Sequence, residues 1–183
     1  AQLGLMVTCN SYRNPDLLAD MARTIDHLSG GRMILGIGSG WFERDYDEYG
    51  YEFGTAPGRL ANLERDLPII KERLGRLTPG PMGSLPILVG GSGEKVTLRL
   101  VAKHADAWNA FGPPESFAAK NQVLNDWCER EGRDPNEIER TVAVQPNELN
   151  ALGAYAEAGA DHVIFMIGSP FDLDPVARAL DAR

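Results

Sequence analysis

The residues of this chain best suited to chemistry are small rather than reactive. Gly90, Gly91, Ser92 and Gly93 stand in a row, after a short apolar run at residues 87–89 and before a helical pattern that starts near Glu94 and runs to about His104. Four small side chains in succession leave main-chain N–H groups uncovered, and the first turn of the helix adds further free N–H groups and the positive end of its dipole. Together they make a seat for an anion, most often a phosphate, with Lys95 placed to add a charge-assisted contact. The same residues equally make a tight strand-to-helix connection, so two readings stand. Neither familiar nucleotide pattern is present: GxxxxGK[ST] is missing, and Val96 stands where a dinucleotide fingerprint needs Gly or Ala. A phosphate held here would belong to another kind of cofactor. In a second cluster, Gly36, Gly38 and Gly40 surround Ile37 and Ser39, and Trp41 again breaks the dinucleotide spacing. There the glycines let something approach the backbone closely at a strand's C-terminal end.

Both clusters need elements to hold them. Residues 3–8 form a continuous apolar run, the pattern of a strand buried on both faces. Pro15 opens a helix with Leu18, Met21, Ala22, Ile25 and Leu28 on one apolar stripe, stopped at Ser29-Gly30-Gly31; His27 falls off the stripe and is expected in solvent. A second strand covers residues 33–37, and the acidic, aromatic residues 42–51 hold a short helix. A longer helix follows with Leu60, Leu63, Leu67, Ile70, Leu74 and Leu77 on its inner face, and Pro68 predicts a kink or break in it. Residues 78–84 read as a loop. Beyond the first glycine cluster, strands are expected at 105–109, 140–144 and 162–167, and helices at 115–131, 147–158 and 174–182. Val123, Leu124 and Trp127 lie on the inner side of the 115–131 helix, and Cys128 reads as a core residue. Buried strands alternating with amphipathic helices imply a parallel α/β sheet, and six strand–helix units suit an open doubly wound sheet or most of a (β/α)8 barrel.

The totals narrow the partners. With 183 residues and 43% hydrophobic content the chain is enough for one compact domain, and its net charge of -8 argues against nucleic acid or an anionic membrane as the main partner. Cys9 and Cys128 form no CxxC pair, which points to a reducing, cytoplasmic setting and no metal site. No apolar run approaches the ~20 residues of a membrane span, and no signal peptide is visible. The chain opens at Ala1 almost directly on a strand, which reads as a missing N-terminus.

With these residues in view, the chain resembles the luciferase-like monooxygenase family, most of all the bacterial branch that uses the deazaflavin coenzyme F420 in place of flavin mononucleotide (FMN). The resemblance rests on LGLMVTCNSYRNP at 3–15, LSGGRMILGIGSGW at 28–41, EYGYEF at 48–53, PILVGGSGEKVTLRLVAKHADAWN at 86–109 and AGADHVIF at 158–165, in the family's order. It implies a (β/α)8 TIM barrel whose third to eighth strands are the six seen here, so that residues 1–183 form a single incomplete barrel domain. The two sheet edges left open imply either a fragment of a longer protein, the favoured expectation, or cover from another chain.

The resemblance carries over residue by residue. It matches Gly90, Gly91, Ser92 and Gly93 to the turn that holds the cofactor phosphate. Met6 and Val7 match a strand bulge, often with a non-prolyl cis peptide, that presses on the ring. Ser39 and Gly40 match positions lining the ring or its tail, and Thr8 and Cys9 lie beside the ring edge, Cys9 being equally well explained as a small apolar filler. Trp41 stands where one branch, the sugar-phosphate dehydrogenases, carries a Glu acid, so no catalytic acid or base is assigned; nearby Glu43 could serve as an acid but is rather expected to be a solvated carboxylate, and His104 and His162 are not convincing catalysts. Trp41, Phe42, Trp108 and Phe111 near strand ends are candidates for the wall of a pocket for a small-molecule substrate. The implied activity is hydride transfer between the deazaflavin and that substrate. The alternatives are an FMN-dependent monooxygenase and a non-catalytic cofactor-binding relative. Assembly as a homodimer or higher homo-oligomer is expected.

Overall fold

The computed structural model describes residues 1–181, which form two compact units: Ala1–Gly90 with His104–Asp106, and Gly91–Lys103 with the chain from Ala107 onward. The first unit contains β1 (Leu3–Gly4), β2 (Thr8–Cys9), α1 (Pro15–Ser29), β3 (Met33–Gly38), α2 (Glu43–Tyr49), α3 (Ala56–Arg76) and β4 (Ile87–Gly90). Its strands are all parallel, with β1 and β2 both on one side of β3 and β4 on the other.

The run at residues 3–8 is not one buried strand. Gly4 faces Ile34 and Thr8 faces Ile37, so Leu5, Met6 and Val7 stand opposite only Leu35 and Gly36. One residue too many on one strand is a bulge. It splits the run into β1 and β2, and Leu3, Leu5 and Met6 are exposed because among the described residues β1 pairs with β3 alone.

Helix α1 is capped by the Asn14 side chain, which accepts from Asp16 N and Leu17 N, and ends at Gly30 in the left-handed region. Its buried positions are Leu18, Ala19, Ala22 and Asp26. The expected stripe is therefore only half right: Met21, Ile25 and Leu28 are exposed, because α1 packs on α3 and β3 along the Ala22–Asp26 side. Asp26 earns that burial as an acceptor, its carboxylate taking N–H groups from Met33 at 3.3 Å, Met82 at 2.7 Å and Gly83 at 2.9 Å. Burial alone would raise its pKa, but these three donors outweigh it and the net shift is downward. His27 is half-buried rather than solvated, with Nε2 2.7 Å from Gly80 O. Helix α3 runs through Pro68 without a break and buries Leu63, Leu67 and Ile70, each contributing about 1.5–3 kcal/mol of transfer free energy. Arg59 and Asp66 are buried on the same side.

The second unit holds α4 (Thr97–His104, its last residue falling to the first unit), β5 (Ala107–Ala110), α5 (Pro114–Glu131), β6 (Glu139–Val144), α6 (Leu152–Glu157), β7 (His162–Phe165) and α7 (Asp174–Asp181). Strands β5, β6 and β7 are parallel and pair in chain order. Their core includes Phe117, Leu124 and Cys128 of α5, with Val123 and Trp127 only half-buried at its margin. Helix α4 starts three residues later than expected, since residues 94–96 form a turn closed by Leu98 N on Gly93 O at 3.0 Å. The helix expected over 147–158 is in part a 3₁₀ turn, Pro146–Ala151, set by a box in which Gln145 and Glu148 cap one another. The last helix matches its expected start, and Ala182 lies outside the described residues.

Candidate cofactor-binding site

In the first unit the glycines of β3 explain the bulge. A Cβ on Gly36 would sit 1.9 Å from Leu5 O, and one on Gly38 would meet Val7 Cγ2 at 3.0 Å. Gly90 of β4 receives Val7 as well, its Cβ position being 3.1 Å from Cγ1. What comes close to the backbone at these strand ends is thus the chain's own Leu5–Val7 segment, backed by three positions without side chains. The Met6–Val7 peptide is cis, as the resemblance implied. Met6 is 46% exposed, so the outer side of the bulge is open to a ligand.

Beyond the bulge, one buried tyrosine ties three loops together. Tyr46 of α2 is fully buried; its hydroxyl donates to Ser11 Oγ at 3.0 Å and lies 3.0 Å from Cys9 Sγ. Cys9 is therefore half-buried and polar-bonded, not an apolar filler. Burial, then the Cys9 contact, pushes the Tyr46 pKa upward and keeps it a neutral phenol. Gly40 packs on this pair, with φ +82 and a Cβ position only 2.2 Å from Tyr46 Oη, so no other residue fits there. Arg59 fixes the same loop by donating from Nε to Gly40 O at 2.8 Å and from Nη1 to Phe53 O at 2.9 Å, with its guanidinium 3.7 Å from the Phe53 ring centre. Thr8 is buried and accepts from Arg13 Nη1 at 3.3 Å, while Ser39 is half-buried.

A cleft of about 720 Å³ opens beside this cluster, with Arg13, Arg59, Arg65, Asp66, Asn62 and Phe53 among the residues lining it. That volume lies within the usual range for small-molecule sites. Trp41 is 80% exposed and lies edge-on against Phe42, and neither lines this cleft. Glu43 is an exposed carboxylate at the start of α2.

In the second unit the small-residue turn is pinned by its carbonyls. Gly91 O accepts from Trp108 Nε1 at 2.8 Å, Gly93 O from Leu98 N at 3.0 Å and Glu94 O from Trp127 Nε1 at 2.7 Å. In a trans peptide the C=O and the following N–H point in opposite directions. Holding those carbonyls inward turns the N–H groups of Ser92, Glu94 and Lys95 outward, and among the described residues none of the three finds a protein acceptor. These uncovered N–H groups belong to the turn itself, ahead of α4, and not to the first turn of that helix. Lys95 is exposed on it, and the Glu94 carboxylate is drawn aside by Lys120, whose hydrogen bond lowers the Glu94 pKa. Trp108 is fully buried, stacked on Phe117 at 5.1 Å, so it is a core residue holding the turn and not a pocket wall. Phe111 is 58% exposed.

His162 pairs with Glu139 at the entrance of the strands, the end opposite the turn, and His104 closes α4. No group of three or more His, Cys, Asp or Glu side chains able to hold a metal occurs among the described residues. No helix among them is long and apolar enough to cross a membrane.

Parallel strands alternating with helices, with glycine-backed features at strand C-terminal ends, define an α/β protein. Residues 2–147 match the family described as luciferase-like monooxygenase, and the chain belongs to that family. It is 28% identical over 184 residues to an uncharacterized protein of Mycobacterium tuberculosis (strain ATCC 25618 / H37Rv), covering 90% of this chain and 63% of that protein. The chain thus spans less than two thirds of this relative's length. An F420-dependent secondary alcohol dehydrogenase, solved with an F420–acetone adduct, superposes with a TM-score of 0.79 at 14% identity, over 90% of this chain and 73% of the other. The coenzyme F420-dependent tetrahydromethanopterin reductase of Methanopyrus kandleri superposes with a TM-score of 0.72 at 15% identity, over 97% of this chain and 80% of the other. The fold is that of the (β/α)8 barrel family, with six strand–helix units present in this chain.

Sequence reasoning missed Tyr46, Arg59, Arg13 and Asp66. Arg59 and Asp66 carried a signal: each occupies a helix face otherwise filled by Leu63, Leu67 and Ile70. A charged residue at such a position has a partner to meet.

Proposed function

We propose that this chain is the cofactor-bearing part of an oxidoreductase that transfers hydride between the deazaflavin coenzyme F420 and a small organic substrate. The observation that carries the reading is the bulge at Leu5–Val7, seated on Gly36, Gly38 and Gly90 with Met6 facing outward. The residues present fit such a cofactor. The bulge offers a fixed, partly apolar ledge for a flat ring, flanked by Thr8, Cys9, Ser39 and Gly40. The outward N–H groups of Ser92, Glu94 and Lys95, with the Lys95 ammonium, suit a phosphate. When bound, the cofactor supplies the hydride chemistry; the protein's part is to orient it and to exclude water. Exposed Trp41 and Phe42 are apolar surface suited to an organic substrate. The fold shared with two F420-dependent enzymes supports this choice. The family description favours the second reading, an FMN-dependent monooxygenase, which would use the same ledge and the same seat.

A fluorescence titration of the full-length protein with coenzyme F420, and separately with FMN, tests the proposal on wild type and on Ser92→Asp. The added carboxylate would stand where the phosphate belongs, and like-charge repulsion should abolish tight binding. Tight deazaflavin binding lost in the variant supports the first reading, and preference for FMN selects the second. A folded, full-length protein that binds neither rules out both.

A further inference from the structure

The cleft beside α3 is better provided with hydrogen-bond donors than with acceptors. Asp66 is spent: its carboxylate receives Asn10 Nδ2 at 2.8 Å and both arms of Arg65, at 2.7 and 3.1 Å. Arg59 is spent too, on the carbonyls of Gly40 and Phe53. Arg13 is not. Its guanidinium reaches one neutral oxygen, Thr8 Oγ1 at 3.3 Å, and among the described residues no carboxylate pairs with it. Three neutral donors share the wall: Asn14, whose oxygen alone is used in capping α1, Asn62, whose oxygen accepts from Arg65, and Ser11, whose oxygen accepts from Tyr46. Glu52 is the remaining carboxylate of the lining, and it is exposed. An uncompensated guanidinium among free donors is unusual in a chain of net charge -8.

We propose that this cleft is a second anion site, taking a carboxylate or phosphate group of a small organic molecule on Arg13. The aromatic wall supplied by Phe53 and Tyr51 would receive that molecule's apolar part. A guanidinium binds such groups through two parallel N–H bonds, and only one of its arms is engaged here. The site lies wholly within the first unit and does not depend on the cofactor reading, whose phosphate seat is the turn at Ser92.

The test is calorimetric titration of the protein with phenyl phosphate, with phenol as the neutral control, at low and at raised salt. Wild type should bind phenyl phosphate and not phenol, more weakly as salt rises. Arg13→Gln should weaken binding tenfold or more, and Arg13→Lys should fall between, keeping charge but losing the fork. Thr8→Val, which removes the one contact of Arg13 and not the guanidinium, should retain binding and so separates loss of the cation from loss of local structure. Ser92→Asp should leave the Arg13-dependent part of that binding unchanged. Equal affinity in wild type and Arg13→Gln would overturn the proposal, as would binding abolished by Ser92→Asp but not by Arg13→Gln, or no binding of phenyl phosphate at millimolar concentration. If coenzyme F420 competes, the anion is the cofactor's own; if it does not, the anion belongs to a substrate, and both results support the cleft.

Discussion

Gly36→Ala isolates the physical basis of the bulge in a single methyl group. Real Cβ atoms essentially never approach another heavy atom closer than 3.0 Å, and here the added carbon would stand 1.9 Å from Leu5 O, so more than about 1 Å of movement is required. The obstructing atom is main-chain, held between β1 and β2, and has no rotamer to swing aside. Overpacking of this kind costs about 1–3 kcal/mol, and the relief available is to lift the bulge off β3. The same methyl at Gly75, near the end of α3, meets nothing within 4 Å. There, loss of glycine's backbone freedom should stabilise by roughly 0.5–1 kcal/mol. One chemical change should thus give opposite signs at two sites of the same unit. Urea unfolding at pH 7 measures both, and cofactor titration of Gly36→Ala reads whether the ledge has moved; binding should fall with stability, whereas Gly75→Ala should bind as wild type. A Gly36→Ala protein as stable as wild type, or one that keeps full cofactor affinity, would refute the argument that Gly36 exists to seat Leu5.

Asp26→Asn should destabilise by about 1.5–3 kcal/mol at pH 7, since the amide keeps one acceptor oxygen but loses charge assistance and turns a donor toward Met33 N–H. Because the folded-state pKa of Asp26 is lowered, its contribution is complete above the ordinary carboxylate value of about 3.9 and is lost as pH falls through the folded value. The gap between wild type and variant should close below about pH 4 in urea melts; a gap unchanged at pH 3 would count against the mechanism. The exposed line Leu17, Met21, Ile25 and Leu28 on α1 is expected to pack on the same line of a second copy. Sedimentation should show a dimer that Met21→Glu with Ile25→Glu converts to monomer, and a wild-type monomer would dismiss the idea.

Much of this was legible because the signals are backbone signals. The alternation of apolar runs with amphipathic helices marked where the strands lie, with β1 and β2 read as one run, and the glycines at 36, 38, 40 and 90–93 marked where the chain does something unusual. Other features were hidden because they depend on partners distant in sequence. The run at 3–8 reads as a buried strand, since its apolar content says nothing of how many neighbours it has. His27 looked solvated because its acceptor, Gly80 O, lies 53 positions away. Trp108 near a strand end looked like a wall; only its stacking on Phe117 places it in the core. The cleft stayed invisible because Arg13 and Asn62 come together only when α3 returns past the loop after β2.

The two parts that the proposal gives to the cofactor share one design: the main chain would do the binding, and side chains are kept away. At the ledge, Gly36, Gly38 and Gly90 matter for lacking a Cβ. At the turn, Trp108 and Trp127 act at a distance, pulling carbonyls inward so that N–H groups face out. Neither part depends on a reactive group, so the residues around them are free to change while cofactor geometry is kept, consistent with a shared fold at 14% identity. On the proposed function, substrate choice would reside in side chains that are not fixed by this scheme, such as exposed Trp41, Phe42 and Phe111. Replacing those should alter which molecule reacts while leaving cofactor affinity intact, whereas adding one carbon to Gly36 should do the reverse.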